Sequence, residues 1–176
     1  TTENYSYDAW AALFFWQGDP NLAQISAPNA DPDLDGVPNA LEYVMATLPM
    51  RANTPRYELS VTETGGAPHL ALTFPLVKVS AGSITTSVVA SANLRIGSWV
   101  ATGAVPTVLS DDGQVQVLRI VDPLPVSQGA PRFLAILGQR VGRLHHGVRP
   151  LLRALRRHAG ILDHMGLAVG IQRRNH

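Results

Sequence analysis

Residues 115–121 read VQVLRIV, and apolar side chains recur along this stretch at the two-residue spacing of a β-strand. Gly65-Gly66 and Asp112-Gly113 have the composition of hairpin turns. Six further β-rich stretches share this texture, at residues 57–62, 69–74, 83–90, 98–101, 105–109 and 132–138. The spacing predicts a mainly β fold for residues 56–141, an antiparallel sandwich of about five to seven strands.

An acidic segment precedes the β-rich part. Residues 31–42 read DPDLDGVPNALE and match D-x-[DN]-x-[DN]-G-x5-E at every defined position. Calcium takes roughly six to eight oxygen ligands, and alternate side chains converge on one point as such a loop curls. A solvated acidic turn before a helix is the alternative. The predicted ligands are the side chains of Asp31, Asp33, Asp35, Asn39 (directly or through a water) and Glu42, and the backbone carbonyl of Val37.

The loop resembles the EF-hand calcium loop and, more closely, the dockerin-type and thrombospondin type 3-like repeats of extracellular proteins. DPDLDGVPNALEY is typical of exported bacterial proteins that carry one such loop before a helix. Two features depart from a paired EF-hand. Pro28 and Asn29 disfavour an entering helix, and Pro38 lacks the N–H that pairs two hands. A single static site is therefore predicted, rather than a calmodulin-like sensor or a complete dockerin.

The segments around the loop divide the chain into three predicted units. Residues 7–16 form a short predicted helix with Trp10, Leu13 and Phe14 on one face, and residues 17–30 are predicted as loop. A second helix follows the acidic loop to about Thr47, and residues 50–55 are a linker. The units are a helical segment with the calcium loop (1–50), the β-sandwich-like module (56–141) and a basic tail (142–176).

The tail has its own composition. Residues 140–176 carry eight arginines and one acidic residue, whereas residues 1–139 carry six basic and twelve acidic residues. Residues 151–158 (LLRALRRH) suit a basic amphipathic helix. Three interpretations remain open for this tail: contact with anionic lipid, polysaccharide or nucleic acid, a helix that packs on the acidic part, or a loosely ordered or non-native extension.

Two stretches of the β-rich part, 84–99 (ITTSVVASANLRIGSW) and 131–141 (PRFLAILGQRV), resemble a β module that follows this loop at the C-terminal end of large bacterial surface and secreted proteins. The resemblance implies an adhesive, carbohydrate-associated or spacing role. Trp99 and Trp16 are candidates for a sugar-stacking platform, and a place in the core is the alternative for both.

No enzyme motif stands out. The chain has no cysteine, no G-x-S-x-G, P-loop or H-E-x-x-H motif, and no apolar run of membrane-spanning length. His145, His146, Asp163 and His164 are the residues that a small hydrolase would use, as the third hypothesis.

The first hypothesis is a non-catalytic, Ca²⁺-stabilised structural module of an exported or cell-surface protein, used for adhesion, attachment or spacing. Sites of this kind fill at extracellular calcium concentrations, which is the argument for an extracellular location. The second hypothesis is a carbohydrate-binding accessory domain of a secreted hydrolase. Polysaccharide and other domains of a larger chain are the expected partners, polyanions are candidates for the tail, and specific nucleic-acid recognition is not expected.

Overall fold

The computed structural model describes residues 6–53, 56–95, 97–126 and 131–141, and the backbone of a strand at 166–171. In these described residues eight strands form two antiparallel four-stranded sheets, so the predicted mainly β fold is confirmed. The strands are β1 (Glu58–Thr64), β2 (Ala67–Val77), β3 (Ile84–Ser91), β4 (Val100–Ala101), β5 (Thr107–Asp111), β6 (Val115–Pro125), β7 (Arg132–Arg140) and β8 (Gly166–Ile171). A 3₁₀ turn at Lys78–Gly82 leads from β2 to β3.

The first sheet has the order β1-β2-β6-β5, and the second has the order β4-β3-β7-β8. All seven predicted strands of residues 56–141 are present, with ends that differ by a few residues. Gly65 and Gly66 connect β1 to β2 with φ of 61° and 80°, a left-handed backbone that favours glycine. At the β5–β6 turn, Oδ1 of Asp112 accepts from the backbone N–H of Gln114 and Val115 at 2.9 and 2.7 Å.

Three helices precede the sheets: α1 (Tyr7–Phe14), α2 (Leu22–Ile25) and α3 (Asn39–Met45). The hydroxyl of Ser6 caps α1 by accepting from the N–H of Ala9 at 3.2 Å. The buried face of α1 comprises Tyr7, Trp10 and Ala11, whereas Leu13 is exposed. Of the three residues predicted to share one face, Trp10 and Phe14 pack in the same cluster, whereas Leu13 faces solvent. The short helix α2 lies inside residues 17–30, which were predicted as loop.

The helical segment and the β module share one hydrophobic core. Every residue of α3 is buried, and the helix contacts both β2 and β7. Gly138 on β7 makes this close approach possible, because a Cβ there would lie 3.1 Å from Cδ2 of Leu41. The core lies between the two sheets and is closed by α3, with the members Val37, Leu41, Met45, Leu70, Leu72, Phe74, Val88, Ala90, Leu118, Ile120, Leu134 and Ile136. The linker at 50–55 therefore joins two parts of one packed unit.

A second cluster packs α1 against the other side of α3, and a third covers the outer face of the second sheet. Within the second cluster, the rings of Trp10 and Tyr43 lie 5.6 Å apart. In the third, Trp99 packs on Val89, Ala135 and Leu137.

Backbone residues Gly166–Ile171 pair with β7 as a strand. The tail was predicted as a basic segment, helical or disordered, and no strand was predicted within it. The predicted helix at 151–158 lies outside the described residues. No helix in the described part of the chain is long and apolar enough to cross a membrane.

Candidate metal centre

The acidic segment folds into a tight loop. Gly36 and Leu34 both adopt positive φ, of 88° and 62°, which lets the chain curl tightly within a few residues. Such a φ is strained for leucine, and the exposed Leu34 side chain gains no burial that offsets the strain. The curl is held by hydrogen bonds from backbone N–H groups to aspartate oxygens: Gly36 N to Asp31 Oδ2 (2.9 Å), Asp35 N to Asp33 Oδ1 (3.2 Å) and Val37 N to Asp35 Oδ1 (2.8 Å).

The three aspartates converge as the spacing predicts. One carboxylate oxygen from each of Asp31, Asp33 and Asp35 lies within 4.8 Å of the others. Oxygens that share one calcium ion lie about 2.3–2.6 Å from it, so this separation suits a common ligand sphere. In the part of the chain that the structure describes, this is the one group of three acidic or histidine side chains gathered so closely.

Glu42 on α3 does not belong to this group of three, but it lies near enough for the aspartate charges to act on its carboxyl. Its side chain is fully buried, and Oε1 accepts from the hydroxyl of Thr47 at 3.3 Å. Burial, and after it the negative charges of Asp33 and Asp35, raise the pKa of Glu42 from 4.5 to about 8. Because the aspartate charges act on the carboxyl of Glu42, all four acids share one electrostatic environment. In the absence of a cation that environment disfavours ionised Glu42.

Three of these carboxylates each leave one oxygen without a partner. Asp31 Oδ1, Asp33 Oδ2 and Glu42 Oε2 are buried and accept no hydrogen bond from the described residues. The second oxygen of each is held, by Gly36 N, Asp35 N and Thr47 Oγ1 respectively. Leaving a buried polar group without a partner costs roughly 1–3 kcal/mol, and more for a charged group. Burial also raises the pKa of Asp33.

The remaining predicted ligands play a visible structural part. The side chain of Val37 lies in the central core, which anchors the end of the loop. The Asn39 side-chain amide donates to the carbonyls of Ile25 and Ala27 at 2.8 and 2.9 Å, so it ties α3 to the end of α2. Oδ1 of Asn39 is buried and has no partner among the described residues.

Two contacts of the loop were missed at the sequence level. Thr47 holds Glu42 from beyond the end of α3, and the backbone N–H of Asn53 donates to Oδ2 of Asp35 at 2.9 Å. No motif includes a position so far from the acidic run. The second contact ties the loop to the linker before β1. Nearby, burial and then the charge of Asp35 raise the pKa of Tyr57.

The two tryptophans proposed as a sugar platform have different environments. Trp99 is only 6% exposed and packs in the third cluster, so its ring offers no open face to a ligand. That candidate is therefore wrong, because the outer face of the second sheet is apolar and requires a cover. Trp16 is 74% exposed.

A buried polar cluster lies elsewhere, between β2, β6 and β7. Asp122 is fully buried and forms a bidentate ion pair with Arg132, whose Nε lies 2.5 Å from Oδ2 and Nη2 2.8 Å from Oδ1. Nδ1 of His69 lies 2.7 Å from the carbonyl oxygen of Asp122, so it donates to it. Each charge has its counterpart, so the cluster has a structural role. The alternative hydrolase residues His145, His146, Asp163 and His164 lie outside the described residues.

Comparison with known proteins adds no relative: no family model, curated protein or solved structure matches the chain. The assignment of this site therefore depends on its own geometry.

Proposed function

We propose that residues 31–42 bind one calcium ion, and that the chain is a non-catalytic, calcium-stabilised module of an exported or cell-surface protein. The observation that carries the proposal is the set of three buried carboxylate oxygens without a hydrogen-bond partner, on Asp31, Asp33 and Glu42. A cation bound among them would offset both the lost hydration and the mutual repulsion of the four acids.

The chemistry of the donors favours calcium over other metals. All candidate donors are carboxylate, amide or carbonyl oxygens, which suit hard cations rather than zinc or copper. Magnesium requires a nearly ideal octahedron and keeps several waters, whereas calcium accepts irregular and bidentate oxygen sets. Glu42 is buried and has one carboxylate oxygen without a partner, which suits the irregular and bidentate coordination that calcium accepts.

The position of α3 supports a structural role. Sensor EF-hands open a groove between paired helices when calcium binds. Here the helix that carries Glu42 is buried along its whole length between two sheets, so its movement would expose the central core. The ion would join the helical segment, the linker and the β-sandwich. An adhesive, attachment or spacing role follows from the proposed location outside the cell, where millimolar-range sites are filled.

Calcium titration by calorimetry on the chelator-treated full chain tests the proposal, with magnesium as a competitor and thermal melts in calcium and in chelator. We expect one-site binding and a stabilisation of about 2.7 kcal/mol when free calcium exceeds the dissociation constant a hundredfold. Glu42→Gln should lose both effects. Asp111→Asn is the matched control, because this acid lies in an exposed ion pair outside the loop. Absence of binding heat together with identical melts would refute the site.

The proposed location has a separate test. Protease treatment of intact cells of the source organism should degrade the chain if it lies at the surface. Full protection of the chain until the cells are lysed would contradict export.

A further inference from the structure

Trp16 is the one tryptophan of three that stays outside the core. It is 74% exposed, whereas Trp10 and Trp99 are 4% and 6% exposed. A tryptophan side chain can bury 150–250 Å² and dominates the energetics of cores and interfaces. The exposed indole of Trp16 does not contribute that stabilisation to the fold of this chain, so its surface is open to a ligand.

Trp16 begins the turn that follows α1. The backbone N–H of Asp19 donates to the carbonyl of Trp16 at 3.0 Å, which closes a four-residue turn, and the preceding Phe15 is buried. Inside this turn the ring lies directly against Gly18. A Cβ at Gly18 would lie 2.5 Å from Cζ2 and 2.8 Å from Cε2 of the ring.

A side chain at position 18 would displace the ring, whereas the backbone there does not require glycine. The φ of Gly18 lies outside the left-handed region, so alanine is compatible with the local chain direction. The three atoms nearest to the hypothetical Cβ all belong to the indole. One side of the indole ring thus packs on Gly18, while most of the ring surface faces solvent.

The chain segment that carries the ring is rich in polar side chains. Gln17 and Asn21 are exposed, and Asp19 is half-buried. Nε2 of Gln17 donates to the carbonyl of Phe15 at 2.9 Å, and Oδ1 of Asp19 accepts from the N–H of Asn21 at 2.7 Å. The side-chain oxygen left on each, together with the Asn21 amide, supplies the remaining hydrogen-bonding groups. Residues 6–30 contain no lysine, arginine or histidine. Arg140, whose guanidinium reaches α1, already pairs with Asp8. A nucleic acid or an anionic lipid surface requires cationic partners, so neither suits this face.

We propose that Trp16 is a stacking platform for a pyranose ring of a neutral polysaccharide, with Gly18 as its support and Gln17, Asp19 and Asn21 as hydrogen-bonding groups around it. The C–H face of a pyranose is flat and apolar and covers an indole, and its equatorial hydroxyls then point outward to amide and carboxylate partners. This site is distinct from the acidic loop and does not depend on the proposed calcium function.

Affinity electrophoresis of the full chain tests the proposal, in native gels that contain mixed-linkage β-glucan, xylan, galactomannan or amylose. Sedimentation with cellulose and with chitin extends the test to insoluble glycans. All samples contain 1 mM calcium, so that failure of sugar binding and failure of the calcium site remain distinguishable. We expect retention by at least one glycan, with affinity reduced about tenfold or more by Trp16→Ala.

Two further variants separate stacking from a general apolar contact. Gly18→Ala should weaken retention because its methyl group displaces the ring, while its melting temperature stays at the wild-type value. Leu13→Ala is the matched control, because Leu13 is also exposed and lies one helical turn before Trp16. Its retention should be unchanged. Lack of retention by every glycan overturns the proposal, and so does an equal loss of retention in the Leu13 and Trp16 variants.

Discussion

Replacement of Glu42 by glutamine should have opposite effects on stability with and without calcium. In the metal-free protein, burial and the charges of Asp33 and Asp35 raise the pKa of Glu42 from 4.5 to about 8. The folded state therefore holds a proton that the unfolded state releases between these two values. The resulting stability is fully present below about pH 4.5 and is lost as the pH rises through about 8, at roughly 1.4 kcal/mol per pH unit.

The size of this effect on stability at neutral pH follows from the two pKa values. At pH 7 the unfolded carboxyl is ionised, and its protonation on folding costs on the order of 3 kcal/mol. Glutamine carries no charge and has nearly the same shape, so it avoids this cost. In chelator at pH 7, the Glu42→Gln protein should therefore be more stable than wild type by up to about that amount, and the difference should vanish near pH 4.5. With saturating calcium the order should reverse, because glutamine removes a carboxylate ligand.

Urea unfolding of wild type and Glu42→Gln from pH 4.5 to 8, in chelator and in calcium, gives four curves of the free energy of unfolding against pH. Subtraction of the two chelator curves isolates Glu42 from Asp33, whose pKa is also raised by burial. A glutamine variant that is destabilised equally in chelator and in calcium would refute the reasoning. So would a chelator difference that does not change with pH.

Three other substitutions, one of them with a matched control, test the fold through chemical unfolding. Gly36→Ala should destabilise the protein by about 1–2 kcal/mol because residue 36 has a φ of 88°. Its control is Gly82→Ala, at an open position without positive φ, which should change stability by less than about 0.5 kcal/mol. Equal effects of the two substitutions would contradict the role of the left-handed backbone. Arg132→Ala should cost about 3–5 kcal/mol in calcium and in chelator alike, since it leaves the carboxylate of Asp122 buried and unpaired; a loss below 1 kcal/mol would mean that water reaches the carboxylate. Trp99→Ala should cost about 3–5 kcal/mol without altering calcium affinity, and a surface-like loss would show that the ring is not part of the core.

Local patterns in the sequence were sufficient to predict the mainly β fold. The seven stretches at residues 56–141 are strands, and the Gly65-Gly66 and Asp112-Gly113 pairs connect them as expected. These features depend on the two-residue period of a strand and on backbone preferences of a few neighbouring residues. The spacing of Asp31, Asp33 and Asp35 is equally local, and the structure does bring one oxygen of each together.

Burial of the site required the tertiary structure. The sequence places Glu42 at the far end of the motif, but only the packing of α3 between β2 and β7 removes its carboxylate from water. The same packing brings Thr47 and Asn53 to the acidic loop, since both contacts depend on where the chain turns after α3. The composition of residues 50–55 indicated a boundary between the helical segment and the β module, whereas the core that both share around Leu41 could not be predicted from composition.

The sequence by itself determined the strands, the turns and the curl of the acidic loop, because each follows from residues close together in the chain. It did not distinguish Trp16 from Trp99, which are equally apolar and both stand near turns. Only the assembled sheets show that Trp99 covers Val89 and Leu137 on an outer face, while Trp16 lies on Gly18 with its ring in solvent. Burial is a property of surfaces that meet across long sequence separations, so it was decided by the tertiary structure.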